Sequence, residues 1–263
     1  MAAALEFDPG LPISLADDFL AFEYGEGMFG PQPEMRRLDA IRPSLRDPQC
    51  DGPDPVYGIA MDIGRHIDRP ALQDRMLLYG AVVYASGRLG SEPVRSQGHV
   101  HAIAPHSGWS PPEIFEIWSG KAIVYAQERA EDNPGRCIAV TAGPGEHVVV
   151  PPGWAHCVIN ADPEKKMSFG AWCDRQYGFD YVGVRAHRGL AWFPILTHSG
   201  ELEWQPNPHY ERSSLQQRSA RDYPELGIDG STSMYPIFLR SPDTVMFVSD
   251  PARVSDVWPG FVP

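Results

Sequence analysis

The chain of 263 residues carries 22 Lys and Arg against 34 Asp and Glu, a formal net charge of −12. That balance disfavours a nucleic-acid or anionic-membrane partner, because neutralising phosphates takes a surplus of cations. Its 25 Gly and 27 Pro make up about a fifth of the residues, well above average usage, which excludes long uninterrupted helices and favours an all-β fold of short strands joined by turns.

Taken in order, residues 1–55 read as a turn-rich N-terminal arm. One short helix is expected over Glu34 to Leu45, where Met35, Leu38, Ile41 and Leu45 recur at near-helical spacing. The first residues hold Glu6 and Asp8 and no apolar run of the kind a secretion signal needs. Residues 56–195 then offer strand-like runs at Val56 to Met61, Met76 to Ala85, Ile114 to Trp118, Ala122 to Gln127, Cys137 to Val140, His147 to Val150, Cys157 to Asn160 and Met167 to Trp172. The connections bear Gly and Pro, and such regular spacing predicts one sandwich or barrel. Residues 196–263 form a polar, proline-punctuated C-terminal extension with two apolar runs, Met234 to Leu239 and Thr244 to Val248, expected to cover the barrel or an interface. No stretch reaches the ~18 apolar residues of a membrane span. The cysteines Cys50, Cys137, Cys157 and Cys173 form no C-x-x-C pair, so neither a disulfide framework nor a thiolate zinc knuckle is expected, and the expected location is cytoplasmic.

Chemistry concentrates in two segments. In Gly98-His99-Val100-His101 the two histidines stand at i and i+2, so on a strand both imidazoles project from one face and reach one ion. A third imidazole from another strand and a carboxylate complete a three-nitrogen, one-oxygen site suited to Fe(II), Mn(II), Ni(II) or Zn(II) rather than calcium. Alternation puts Glu113, Phe115 and Ile117 on one face and Ile114, Glu116 and Trp118 on the other. Only one of the two glutamates can therefore face the ion, and the pattern alone does not choose between them. The second segment runs from Gly145 to Asn160.

These residues resemble the cupin superfamily. Its first motif places six residues between a Glu and a Gly, as between Glu113 and Gly120. Its second, G-x5-P-x-G-x2-H-x3-N, is matched by Gly145, Pro151, Gly153, His156 and Asn160. The fold so implied is a double-stranded β-helix, the jelly-roll barrel. Ala102 to Pro111, longer than the usual interval, reads as an inserted loop at the barrel mouth. Within cupins, Gly98 to His101, Pro151 to His156 and Asp180-Tyr181 look like the cupin-type glucose-6-phosphate isomerases of archaea and some bacteria, over roughly Met76 to Phe193. That resemblance implies a homodimeric cytoplasmic enzyme of glycolysis and gluconeogenesis acting on a sugar phosphate. It implies a metal, iron first, on His99, His101, Glu113 and His156, with Glu113 a candidate in proton transfer and Tyr181 assisting the sugar. Ser96, Gly98 and Tyr181 would bind substrate, with Arg88 or Arg95 as cationic partners of the phosphate. The family pattern is altered at Phe115, Phe179, Val82 and Trp172, and Ser96-Gln97-Gly98 lacks the lysine of the usual Thr-Lys-Gly. A cupin Fe(II) oxygenase, an isomerase or epimerase of another sugar, and a noncatalytic sugar-binding cupin are the other classes compatible with these residues. Lone histidines such as His106, His147 and His187, and the tryptophans Trp109, Trp118 and Trp154, read as packing or surface groups.

Overall fold

The computed structural model describes residues 3–16, 20–230 and 232–263; residues 1, 2 and 17–19 of the expected arm and residue 231 of the expected extension lie outside the described residues. Two sheets dominate. The larger runs His147–Val150, Glu113–Ser119, Met167–Asp174, Leu77–Tyr84, Tyr57–Arg65 and Met28–Phe29, with Glu34–Arg36 also paired to Tyr57–Arg65. The smaller runs Ala155–Asn160, Ala122–Gln127, Cys137–Ala142 and Leu215–Ser219, the last pair being parallel. From residue 113 to 174 the chain passes back and forth between the sheets, and one core cluster takes Val82, Phe115 and Ile117 from the first and Val124, Val140 and Val158 from the second. The sheets therefore face each other across a shared interior, the all-β cupin arrangement. Among the described residues the ladder hydrogen bonds do not run continuously around the barrel; isolated bridges Arg95–Ile159 and His99–His156 tie the 95–99 segment to the Ala155–Asn160 strand.

Both outer faces are covered as well. Tyr79, Ile114, Trp118 and Trp172 lie in a cluster with Met234, Tyr235, Phe238 and Phe247 from the tail, and Tyr125, Cys157 and Ile159 pack with Leu190, Ala191 and Tyr210. This double cover is why Leu77–Tyr84 and Met167–Asp174 are buried at all eight positions and read as continuous apolar runs rather than alternating ones.

The expected strands all form, Ala122–Gln127 and His147–Val150 at the expected bounds, Leu77–Tyr84 one residue shorter at each end, and the others longer or shifted by a few residues. The helix expected over 34–45 does not form. Glu34–Arg36 is instead an edge strand whose backbone pairs with 57–59, and the helical part is limited to Leu38–Ile41, followed by a 3-10 turn at Arg42–Ser44. Leu38, Ile41 and Leu45 are still buried in the interior cluster, so the apolar stripe was real while its backbone was divided between two elements. The apolar run from Met234 forms a helix, Met234–Arg240, and the next run forms a 3-10 helix, Pro242–Val248.

Candidate metal centre

The backbone delivers the two motifs to one another. His99 N–H donates to His156 O at 3.0 Å and His156 N–H returns the bond to His99 O at 2.9 Å, so the two residues form a direct antiparallel pair with their imidazoles close together; the ring centroids are 4.5 Å apart. Gly98 turns the chain into this pair at φ +88°, where a Cβ would meet Leu190 at 3.0 Å, a position only glycine fills without strain. Val100–His101 then pairs with Phe179–Asp180, and Glu113 opens the strand that crosses the larger sheet. The candidate ligand atoms of His99, His101, Glu113 and His156 all lie within 4.8 Å of one another, with His101, Glu113 and His156 buried.

The hydrogen bonds around the rings fix what these atoms can do. A carbonyl only accepts, so Nδ1 of His101, 2.8 Å from Pro111 O, and Nδ1 of His156, 3.1 Å from Trp154 O, carry the protons. Their Nε2 atoms then face Glu113 Oε2 at 3.3 and 3.2 Å, two acceptors against a carboxylate, a contact that needs a cation or added protons between them. Burial disfavours the Glu113 carboxylate, yet when His101 and His156 carry the added protons their hydrogen bonds and charges outweigh it and hold the group well below the usual carboxylate range. Burial likewise lowers His101, and the bond to Glu113 more than reverses it. Burial together with the charges of His156 and His101 holds His99 well below the ordinary imidazole value, and its buried Nε2 has no hydrogen-bond partner. A neutral orphaned nitrogen beside two oriented imidazoles and one carboxylate is a donor set that fits a divalent transition metal. Cys173 Sγ–H donates to the other carboxylate oxygen, Glu113 Oε1, at 3.1 Å, which orients the side chain.

The cluster opens onto a cavity whose wall includes Ser96, Gln97, Gly98, Tyr57, Tyr181 and Arg36 on its polar side and Ile59, Met61, Val82, Phe115, Val158, Phe169 and Phe179 on its apolar side. Ser96 Oγ accepts a bond from Val158 N–H at 3.1 Å. Tyr181 begins the helix Val182–Ala186, and burial raises its phenol, opposed by Arg36 and Arg185. Phe179 stands 4.5 Å from the His99 ring.

Three sequence expectations are corrected. Arg95 is turned away from the cavity: it is fully engaged with Glu92 at 2.7 Å and with the carbonyls of Ser44 and Ser96. Arg88 bonds to Thr197 O and lies on a separate surface depression. Trp172 faces the outer cluster, stacked on Tyr235, because alternation along its strand gives the interior to Phe169, Ala171 and Cys173. The cation the cavity does contain, Arg36, was missed. Its signal was hidden in a segment with helical spacing.

The lone histidines have structural partners: His147 with Glu116, His106 with Gln176, Asp174 and Ser249 O, and His187 with Gly183 O and Asp132. His106 lies in the 102–111 loop and ties it to Asp174 and Gln176 at the end of the Met167–Asp174 strand and, through Ser249 O, to the tail.

A family model described as Glucose-6-phosphate isomerase (GPI) matches residues 47–212. The chain is 28% identical over 139 residues to the glucose-6-phosphate isomerase of Thermococcus onnurineus (strain NA1), covering 53% of this chain and 67% of that protein. It is 27% identical over 136 residues to that of Pyrococcus furiosus, covering 52% and 66%; the chain thus matches about two thirds of the length of these relatives. Among solved structures, recombinant oxalate oxidase in complex with glycolate aligns at 18% identity and a TM-score of 0.35, over 48% of this chain and 55% of that one, too distant a likeness to carry function. The family match spans well over half of the residues and contains both histidine motifs, and on that ground the chain belongs to the glucose-6-phosphate isomerase family of cupin-type enzymes.

Proposed function

We propose that this chain is a metal-dependent aldose-ketose isomerase interconverting glucose 6-phosphate and fructose 6-phosphate. The observation that carries the reading is the convergence of three imidazole nitrogens and one carboxylate oxygen within 4.8 Å at the wall of a cavity formed largely by the family-matched segment. His99, His101, Glu113 and His156 would hold a divalent ion, iron first and manganese, nickel or zinc after it, which supplies Lewis-acid stabilisation of charge developing on the sugar oxygens at C1 and C2.

The chain's own residues account for the rest. Among the described residues lining the cavity, Glu113 is the one carboxylate, and it is the group placed to hold or move a proton between C1 and C2. A carboxylate held by the ion would be a weaker base than a free one, which leaves a hydride shift between the same carbons as the competing route. The Ser96 hydroxyl, the Gly98 backbone and the Tyr181 phenol line the polar side and would orient the sugar phosphate, while the phenylalanines exclude water from the reacting carbons. In this reading residues 56–195 are the catalytic barrel, with the 1–55 arm and the 196–263 extension packed on it, in a homodimeric cytoplasmic enzyme of glycolysis and gluconeogenesis.

A second reading, a cupin Fe(II) oxygenase, is favoured by one observation: Val82, Phe115, Val158 and Phe169 make much of the wall apolar, which suits a substrate poorer in hydroxyls than a hexose. A coupled assay of fructose 6-phosphate to glucose 6-phosphate, on metal-stripped protein reloaded in turn with iron, manganese, nickel and zinc, separates the two. Turnover restored by at least one metal is expected. Silence with all four sinks the isomerase, and oxygen uptake with a candidate substrate supports the alternative.

A further inference from the structure

The arm brings into the cavity a cation that the family-matched segment does not supply. Arg36 lies upstream of residues 47–212, on the edge strand Glu34–Arg36, and sits directly opposite Tyr57 in the antiparallel register. Directly opposed residues project from the same face of a sheet, and both side chains line the cavity together with Ser96 and Tyr181. The Arg36 side chain is only 20% exposed, and its Nε is buried without a hydrogen-bond partner. The side chain touches the Tyr57 phenol, which lines the same cavity, and its ion pair is with Glu34 at 3.0 Å, a carboxylate that is itself 70% exposed and so weakly held.

The neighbouring cations are committed elsewhere. Arg95 is held by Glu92, and Arg185 lies over the Tyr181 ring and donates to Gln97 Oε1 at 3.1 Å. The loop before His99 offers only the neutral Ser96 and Gln97. A largely desolvated guanidinium with an unused donor, beside a mostly apolar cavity, is stabilised when an anion joins it, and its planar fork matches a phosphate through two parallel bonds.

We infer that Arg36 binds the phosphate group of the substrate, so that anion recognition comes from the N-terminal arm rather than from the loop before the first histidine. That the anion is a sugar phosphate rests on the isomerase reading; that the site takes a tetrahedral or carboxylate anion rests on Arg36 alone.

The test uses full-length, metal-reloaded protein with Arg36→Gln and Arg36→Lys, titrated calorimetrically with fructose 6-phosphate, inorganic phosphate and fructose, alongside metal content and steady-state kinetics. Charge-assisted bonds of this kind set the expected loss. Arg36→Gln should keep its metal, weaken fructose 6-phosphate and phosphate by about 30-fold, leave fructose unchanged, and raise KM far more than it lowers kcat; Arg36→Lys should recover part of the loss. Equal affinities in the wild type and Arg36→Gln overturn the inference while leaving isomerisation standing. A wild type that binds fructose 6-phosphate through Arg36 without isomerising it supports the anion site and overturns the isomerase reading. A wild type that binds neither phosphate nor fructose 6-phosphate overturns the inference.

Discussion

Glu113 and Glu116 stand three residues apart on one strand and are buried on opposite sides of the same sheet. Glu113 meets Nε2 of His101 and of His156 on the inner side. Glu116 on the outer side accepts from Tyr79 Oη–H at 3.2 Å, Trp118 Nε1–H at 2.9 Å and Met234 N–H at 2.6 Å, with His147 Nε2 at 3.2 Å. One carboxylate belongs to the candidate metal centre. The other fastens the C-terminal extension onto the sheet, since Met234 starts the tail helix.

The two glutamines therefore fail differently. Glu113→Gln should lower metal affinity and suppress turnover, because the amide cannot offset the cation's charge. Glu116→Gln should keep metal and much of the activity but turn an N–H₂ toward groups that already donate, costing about 1–3 kcal/mol of stability. Urea denaturation and metal analysis of both variants check this. If Glu116→Gln lost metal while Glu113→Gln kept it, the strand faces would be assigned backwards.

Metal should stabilise the fold only through the cage. Titrating iron or manganese into stripped wild type should raise its thermal midpoint in a concentration-dependent way, as any ligand specific to the native state does. His156→Ala should abolish both the shift and stoichiometric metal. His99→Leu should do the same while making the metal-free protein more stable by about 1 kcal/mol, since a buried nitrogen without a partner is removed. Stoichiometric metal retained by His156→Ala contradicts the cage.

The clustering of His99, His101, Glu113 and His156 was legible because its information is local: the i, i+2 pair His99 and His101 and the fixed motif spacings around Glu113 and His156 survive folding unchanged, and it was the motif spacing, not alternation, that chose Glu113 over Glu116. Arg36 was not legible, because pairing of 34–36 with 57–59 is a long-range event and Met35, Leu38, Ile41 and Leu45 imitate a helix. Arg95 misled for the same reason in reverse. Its charge is visible in the sequence, while its partners, Ser44 O among them, come from a distant segment. Trp172 was not legible either: its strand is buried on both faces and apolar throughout, so alternation separates 172 from 169, 171 and 173 without saying which set is interior.

A pH-dependent contribution is expected at the hairpin beside the second motif. Glu128 accepts from Arg136 N–H at 2.9 Å and Nε–H at 2.7 Å, and Arg136 in turn lies over Trp154 and donates to Phe261 O. Burial raises the Glu128 carboxyl, but the bonds and charge of Arg136 prevail and leave it lowered. A carboxyl depressed in the folded state stabilises fully above its unfolded value, about 4.3, and the contribution fades as pH falls through the folded one. Glu128→Gln should thus cost a few tenths to about 1 kcal/mol at pH 6, given its partial exposure, with the gap to wild type closing below about pH 4. Urea midpoints of both proteins at pH 6 and pH 3 measure it; an undiminished gap at pH 3 means the carboxylate charge is not what matters.

The Tyr181 hydroxyl is the remaining group whose role can be isolated. Its ring is set by Arg185, 4.9 Å over its face, and by Phe179 and His99, each with its ring centroid 6.1 Å away, so removing the hydroxyl leaves the packing intact. The phenol is raised by burial against the pull of Arg36 and Arg185 and is therefore a neutral donor at physiological pH, suited to a hydrogen bond with a sugar oxygen or phosphate and not to proton abstraction. Tyr181→Phe should accordingly lower kcat/KM by about tenfold, the worth of one hydrogen bond of ~1.4 kcal/mol, with metal content unchanged and no shift in the pH–rate profile. A loss of several orders of magnitude accompanied by a vanished alkaline limb would instead make the phenol the proton carrier and take that role from Glu113.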